Sequence, residues 1–209
     1  MKLRLSALLL AVLCMVSFLK AQVILDFEGL QNGESVNQAY NGGTGSLGSS
    51  LTNYGVSFTN AEALIVAPYP LSNVIPLADP TLFLSFSHND IYLNVAGGFE
   101  GGLSFNYALL GSASVSVFDG LNGSGNLIAS LALPNTNTNS VYDMNNFVAL
   151  NFSGTAYSVV FNGPAGYVGY DHITLNPGSA VPEPSTYGLM GAAALAGLGC
   201  FRRLRRRAA

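Results

Sequence analysis

Short runs in which apolar and polar residues alternate recur through the middle of the chain, punctuated by Gly, Asn, Ser and Pro. In Ala113–Phe118, Val115 and Val117 alternate with Ser114 and Ser116. In Leu103–Tyr107, Leu103, Phe105 and Tyr107 share one side, and Ser104 and Asn106 take the other. A period of two puts one face in a core and the other in water, so both runs predict β-strands. The same reading predicts strands at Val23–Phe27, Gly55–Thr59, Thr81–Phe86, Ile91–Val95, Leu127–Leu131, Phe147–Phe152, Tyr157–Phe161 and Val168–Leu175. No interior segment sustains an apolar stripe at helical spacing with capping residues. Short strands separated by frequent turn residues predict an all-β fold, an antiparallel β-sandwich of jelly-roll-like form.

The segments between these runs read as loops. Asn41–Ser50 is Gly/Ser-rich, and Ala67–Pro80 carries four prolines, which excludes it from a central strand. Asp119–Asn126 reads as a hairpin loop, Ser87–Asp90 as a turn between strands and Pro134–Ser140 as a polar surface loop. With no internal repeat, residues 22–176 form one predicted domain.

At both ends the pattern changes. Residues 1–21 open with Lys2 and Arg4, continue as an apolar run from Leu5 to Leu19 and end on the small Ala21, the plan of a secretory signal peptide, expected as an N-terminal signal helix. Residues 177–185 form a Pro-rich linker, and 186–201 an uncharged stretch expected as a short transmembrane helix. The 15 residues Tyr187–Phe201 reach only about 22 Å as a helix, short of the roughly 30 Å hydrocarbon core. Snorkelling of Arg202 and Arg203 extends that reach. Arg202, Arg203, Arg205, Arg206 and Arg207 make 202–209 a cytoplasmic tail that stops transfer by the positive-inside rule.

Charge sharpens this division. Residues 22–181 contain ten acids and no Lys or Arg, a net charge of −10 with His neutral. Such a domain is a poor partner for nucleic acid, whose affinity comes from Lys and Arg neutralising phosphates. Divalent cations and neutral polymers are better candidates. Both cysteines, Cys14 and Cys200, lie outside the domain, so no disulfide holds it.

The domain is also poor in catalytic groups. It has no Cys, Lys or Arg, its only histidines are His88 and His172, and it has no G-x-S-x-G elbow. The expectation is a non-enzymatic protein; a glycosidase pair among ten acids has no supporting spacing. One cluster bears on metal binding. Asp26 and Glu28 are two apart, sharing a face if both lie on the first strand, and Asp171 lies on the last predicted strand. If first and last strands are neighbours, these three carboxylates either hold a structural calcium or line a solvated edge.

The segment "VPEPST", Val181–Thr186, followed by a short Gly/Ala/Leu-rich stretch and an Arg cluster, closely resembles the bacterial PEP-CTERM sorting signal. The resemblance implies that Pro182, Glu183 and Pro184 are read by an exosortase-type membrane protease. It also implies a membrane-anchored precursor, then a cell-surface or extracellular product. The pattern "DFEGL…NGESVNQAY…YGVSFTN" with "GYDHITL" resembles the jelly-roll domains of PEP-CTERM proteins and carbohydrate-binding modules. That likeness implies polysaccharide binding and a calcium near the chain ends. The chain departs from it in having no Trp; Tyr40, Tyr54, Tyr69, Tyr142 and Tyr167 lie in or near loops, either as sugar-stacking platforms or as ordinary packing at sheet edges.

Three functions stay open at this point: a polysaccharide-binding surface or matrix protein, an exported glycan-active hydrolase, and a purely structural matrix protein. A pocket joining two acids, or a His and an acid, to exposed aromatics would favour the hydrolase. An aromatic platform alone would favour binding.

Overall fold

The computed structural model describes residues 22–66, 73–79, 81–137 and 141–176, which fall within one compact unit spanning Gln22–Ser179. The expected signal peptide, the linker with Pro182–Pro184, the expected transmembrane stretch and the Arg-rich tail lie outside the described residues. Among those described, no helix is long and apolar enough to cross a membrane.

The strands are β1 (Val23–Leu25), β2 (Val56–Thr59), β3 (Glu62–Ile65), β4 (Val74–Ile75), β5 (Thr81–Leu84), β6 (Asp90–Leu109), β7 (Ala113–Phe118), β8 (Leu127–Leu133), β9 (Tyr142–Asp143), β10 (Asn146–Asn162) and β11 (Val168–Leu175). All pairs are antiparallel except the two-residue β4–β9 ladder. The strands predicted at Ala113–Phe118 and Val168–Leu175 appear with those bounds. Two pairs of predicted strands are instead halves of single long strands. Ile91–Val95 and Leu103–Tyr107 both belong to β6, and Phe147–Phe152 and Tyr157–Phe161 both belong to β10. Glycines fall between the halves, yet the ladder runs on through them because β10 bulges at Asn151/Thr155 and Ala156/Ser158 to follow the bend.

These two long strands build the sandwich. The first half of β6 lies between β2 and the second half of β10, which leads on to β7 and β8. Its second half lies between the first half of β10 and β11, and β11 pairs in turn with β5 and β1, with β3 beyond β5. The two halves meet across an aromatic core. Phe161 from β10 packs on Phe105 at 5.7 Å, Tyr170 at 4.8 Å and Phe83 at 5.6 Å, and Phe58 from β2 meets Phe83 at 5.5 Å. Each buried ring contributes about 1.5–3 kcal/mol through burial. Edge-to-face pairing adds about 0.5–1.5 kcal/mol per contact.

Four elements differ from the sequence reading. β1 stops at Leu25, because Phe27 takes a φ of 62° that ends the extended run and drives its ring into the core. Asp26 and Glu28 therefore do not share a strand face. β3, β4 and β9 carry too few alternating residues to be seen in the sequence; β3 is recognised only by its ladder to β5. The expected proximity of first and last strands is observed, with Val23 opposite Leu175 and Leu25 opposite Ile173.

Candidate functional site

Beside the main core a second apolar cluster forms where β3, β5 and the C-terminal end of β6 meet the β4–β9 ladder. It does not close. An open cavity of about 360 Å³ is left, floored by Leu82, Leu84, Ala108, Val168 and Gly169 and walled by Leu64, Val74, Phe86, Tyr142, Met144 and Tyr167. Gly169 keeps the floor low, since a Cβ there would lie 3.0 Å from Leu82 Cδ1 and 3.7 Å from Met144 Sδ.

Backbone bonds fix the walls. Tyr142 donates its N–H to Asn73 O at 2.6 Å and Met144 donates to Ile75 O at 3.0 Å, while Asn106 Nδ2 donates to Met144 O at 3.1 Å. Tyr167 is held on both sides, accepting from Leu110 N at 2.9 Å and donating to Pro164 O at 3.1 Å. Phe86 and Tyr167 are half exposed, at 51% and 52%, which is unusual for aromatic rings facing one opening. Burial pushes the Tyr142 phenol up in pKa, and the neighbouring Tyr167 adds to the shift. Among the described residues no Asp, Glu or His lines the cavity.

The remaining stacking candidates are distributed differently. Tyr40 is buried, accepts from Phe27 N at 2.7 Å and donates to Asp26 Oδ1 at 3.4 Å, so it is a core residue and not a platform. Tyr54 is 40% exposed and stacks on Tyr40 with centroids 6.2 Å apart. Tyr69 lies outside the described residues.

The acids and histidines gather elsewhere. Asp26 accepts from the Tyr40 hydroxyl, and Asp26 and Asp171 both raise the pKa of that hydroxyl, after burial as the larger cause. Glu28 is turned away and accepts Thr81 N at 2.8 Å. Among the described residues no group of three or more His, Cys, Asp or Glu side chains is arranged to hold a metal ion, and Asp26, Glu28 and Asp171 do not form one ligand set.

His172 sits at a bulge in β11 with a φ of 49°. Its Nε2 is 3.1 Å from Asp79 Oδ2 and its Nδ1 is 3.5 Å from Asp171 Oδ2. Nδ1 is buried and makes no hydrogen bond, so the second approach is electrostatic only. With both ring nitrogens turned to carboxylates, neither is placed to take a proton from a nucleophile. His88 has its N–H bonded to Ser85 Oγ at 3.0 Å, in the turn that leads into β6.

An all-β antiparallel sandwich carrying an open aromatic cavity thus makes up the described part of the chain. Residues 180–207 match the PEP-CTERM protein-sorting motif, so the chain carries that motif at its C-terminal end. No curated protein matches the chain. Among solved structures it is similar to the K2 cleaved adhesin domain of Lys-gingipain, at 13% identity over 74% of this chain and 99% of that one, with a TM-score of 0.46. It is also similar to the module CsCBM6-3 from Clostridium stercorarium, crystallised with cellobiose, at 14% identity over 57% and 85%, TM-score 0.38. A third is the family 29 carbohydrate-binding module CBM29-2, at 8% identity over 74% and 91%, TM-score 0.38.

Proposed function

We propose that this is an exported surface or extracellular-matrix protein whose sandwich binds an uncharged polysaccharide in the aromatic cavity and catalyses no reaction on it. The observation that carries the reading is the cavity's lining. Tyr142, Tyr167 and Phe86 offer ring faces and Met144 a soft apolar side, with no acid or histidine among them. Ring faces pack on the C–H face of a sugar, while phenol hydroxyls at the rim bond its hydroxyl groups. A charge of −10 without a single Lys or Arg repels acidic polymers and leaves neutral ones. The hydrolase reading needs an acid beside those rings, and the His172 cluster is not part of that lining. The C-terminal motif supplies the address: an exosortase-type protease would process a membrane-anchored precursor for delivery to the cell surface.

Affinity electrophoresis of the processed protein through gels containing neutral α- and β-glucans, mannan or chitin derivatives tests the reading. Retardation by at least one polymer is expected, and Tyr142→Ala or Tyr167→Ala should each weaken it about 2- to 10-fold, from the roughly 0.5–1.5 kcal/mol of a ring contact. Retardation unchanged in the double variant would move binding away from the cavity, and no retardation at all would leave a structural matrix protein. Release of reducing sugar that depends on His172 would restore the hydrolase.

A further inference from the structure

A second concave site lies in the other half of the sandwich, and its chemistry is the opposite of the first. Its floor is the outer face of β2 and the first half of β6, presenting Ser57, Thr59 and Asn94. One wall is the turn carrying Gln38 and Asn41, tied to β2 by Phe58 N donating to Asn37 O at 2.8 Å and Val56 N donating to Tyr40 O at 3.2 Å. The other wall is the Leu121–Gly123 turn between β7 and β8, which carries Asn122. The enclosed volume is about 260 Å³.

From this cleft we infer that the domain has a second binding site, independent of the aromatic cavity, for a neutral polyhydroxylated chain held by hydrogen bonds. Among the described residues its lining contains no Asp, Glu, Lys, Arg or His. A carboxamide both donates and accepts, as a hydroxyl group does, so four amides and two hydroxyl side chains match a ligand that is itself all hydroxyl. Ions find no partner of opposite charge there, and apolar ligands would strand the amides.

The wall is held in place before any ligand arrives. Asn122 adopts a φ of 56°, a conformation that costs a non-glycine residue energy. It is held by a reciprocal pair with Asn94: Asn94 Nδ2 donates to Asn122 Oδ1 at 2.9 Å, and Asn122 N donates to Asn94 Oδ1 at 2.7 Å. Next to it, Gly123 N donates to Ser158 Oγ at 3.0 Å and Ser158 Oγ donates to Gly120 O at 2.5 Å, locking the turn to β10. After these bonds the Asn94 carboxamide keeps one N–H and one lone pair to spare, and that of Asn122 keeps both N–H groups and one lone pair. On the facing wall Asn41 Nδ2 donates to Gln38 Oε1 at 2.7 Å, which orients both amides and leaves Gln38 Nε2 and Asn41 Oδ1 available. Fixed, half-satisfied amides facing a cleft are preorganised for a ligand, since their ordering cost is met in the free protein. Two dissimilar sites on one domain would let a single molecule bridge two polymer chains.

The test is amide NMR of the processed protein titrated with hexasaccharides of cellulose, β-1,3-glucan, mannan and chitin. At least one is expected to shift the side-chain amide resonances of Asn94 and Asn122 saturably, and to do so equally in the Tyr142→Ala/Tyr167→Ala variant. Gln38→Ala with Thr59→Ala, both exposed positions, should weaken that response about fivefold or more while leaving shifts around Tyr142 unchanged. The inference is overturned if no hexasaccharide moves these amides, or if their movement disappears with the two tyrosines. Movement of the cleft amides without any at Tyr142 and Tyr167 would sink the aromatic-cavity reading and leave this one standing.

Discussion

Glu34 is a fully buried carboxylate in a domain that has no cation to pair with it. The backbone supplies the compensation. Oε2 accepts Gln31 N at 2.8 Å, and Oε1 accepts Leu47 N at 3.0 Å and Ser49 N at 2.9 Å, so one side chain anchors the Gly/Ser-rich loop. Burial pushes its pKa up, but the bonds from Ser49, Gln31 and Leu47 together hold it below the usual value. A depressed folded pKa means that Glu34 stabilises the fold above its unfolded pKa of about 4.3, and that this contribution is lost as pH falls through the folded value. Glu34→Ala should cost about 3 kcal/mol in urea unfolding at pH 7, and Glu34→Gln should remove the acid-side loss. Asp171 has the opposite sign. Burial raises its pKa to about 7, countered in part by His172, whose N–H lies 2.7 Å from Oδ1, and reinforced by Asp79. Its contribution is full below an unfolded pKa of about 3.9 and is lost as pH rises to about 7. Asp171→Asn should therefore flatten the stability profile between pH 4 and 8, with a gain over the parent on the order of 1–3 kcal/mol at the upper end. A variant whose urea midpoint falls with pH as steeply as the parent's would contradict this assignment. Neither carboxylate's role was legible in the sequence, where Glu34 was one acid among ten and Asp171 was read as a candidate calcium ligand: Glu34 acts through a loop 13–15 residues away, and Asp171 through a bulge.

At the scale of elements, alternation identified strands whose two faces differ, and the short β3, β4 and β9 were missed. β7 alternates buried and half-buried along its whole length, and its bounds were readable. β5 is buried at all four positions, so only its apolar character marked it. The continuity of β6 was hidden by Val95–Gly102, which reads as a break because four of its residues are glycine. Those glycines are the means of bending without breaking. Gly102 has a φ of 151°, and a Cβ there would lie 2.7 Å from Leu150 O across the ladder. Gly97, in the same stretch, would meet nothing within 4 Å and keeps an ordinary φ. Gly102→Ala should thus cost about 3 kcal/mol, combining backbone strain with a contact that main chain cannot relieve. Gly97→Ala should change stability by less than about 1 kcal/mol, and in the stabilising direction. Equal melting temperatures for the two variants would show that the bend does not depend on Gly102. The candidate sites divide in the same way. Tyr142 and Tyr167 stood out as loop tyrosines, but Met144 and the β4–β9 wall come from pairing across 68 residues. The amide cleft draws on positions 38, 57, 94 and 122, which no local pattern connects.

For the whole molecule, the distribution of charge is a statement about compartments. Every Lys and Arg lies at or before residue 20 or at or after residue 202, and the domain between has none. A segment without cations crosses a membrane more readily than the Arg cluster behind it, which the positive-inside rule retains on the cytoplasmic side. The PEP-CTERM sorting motif at 180–207 implies an exported precursor that is processed for the cell surface. Among the described residues the core closes with β11 at Leu175. Replacing Pro182, Glu183 and Pro184 together by Ala should therefore leave the melting temperature of the domain unchanged while its fate changes. The precursor should accumulate in the membrane fraction at full length, and the processed form should vanish from the surface and medium. Fractionation with antibodies against the domain reads both quantities in one experiment. Normal processing of the triple variant would separate the motif from sorting, whereas a drop in melting temperature would mean that the C-terminal segment packs against the sandwich and has a structural part beyond address.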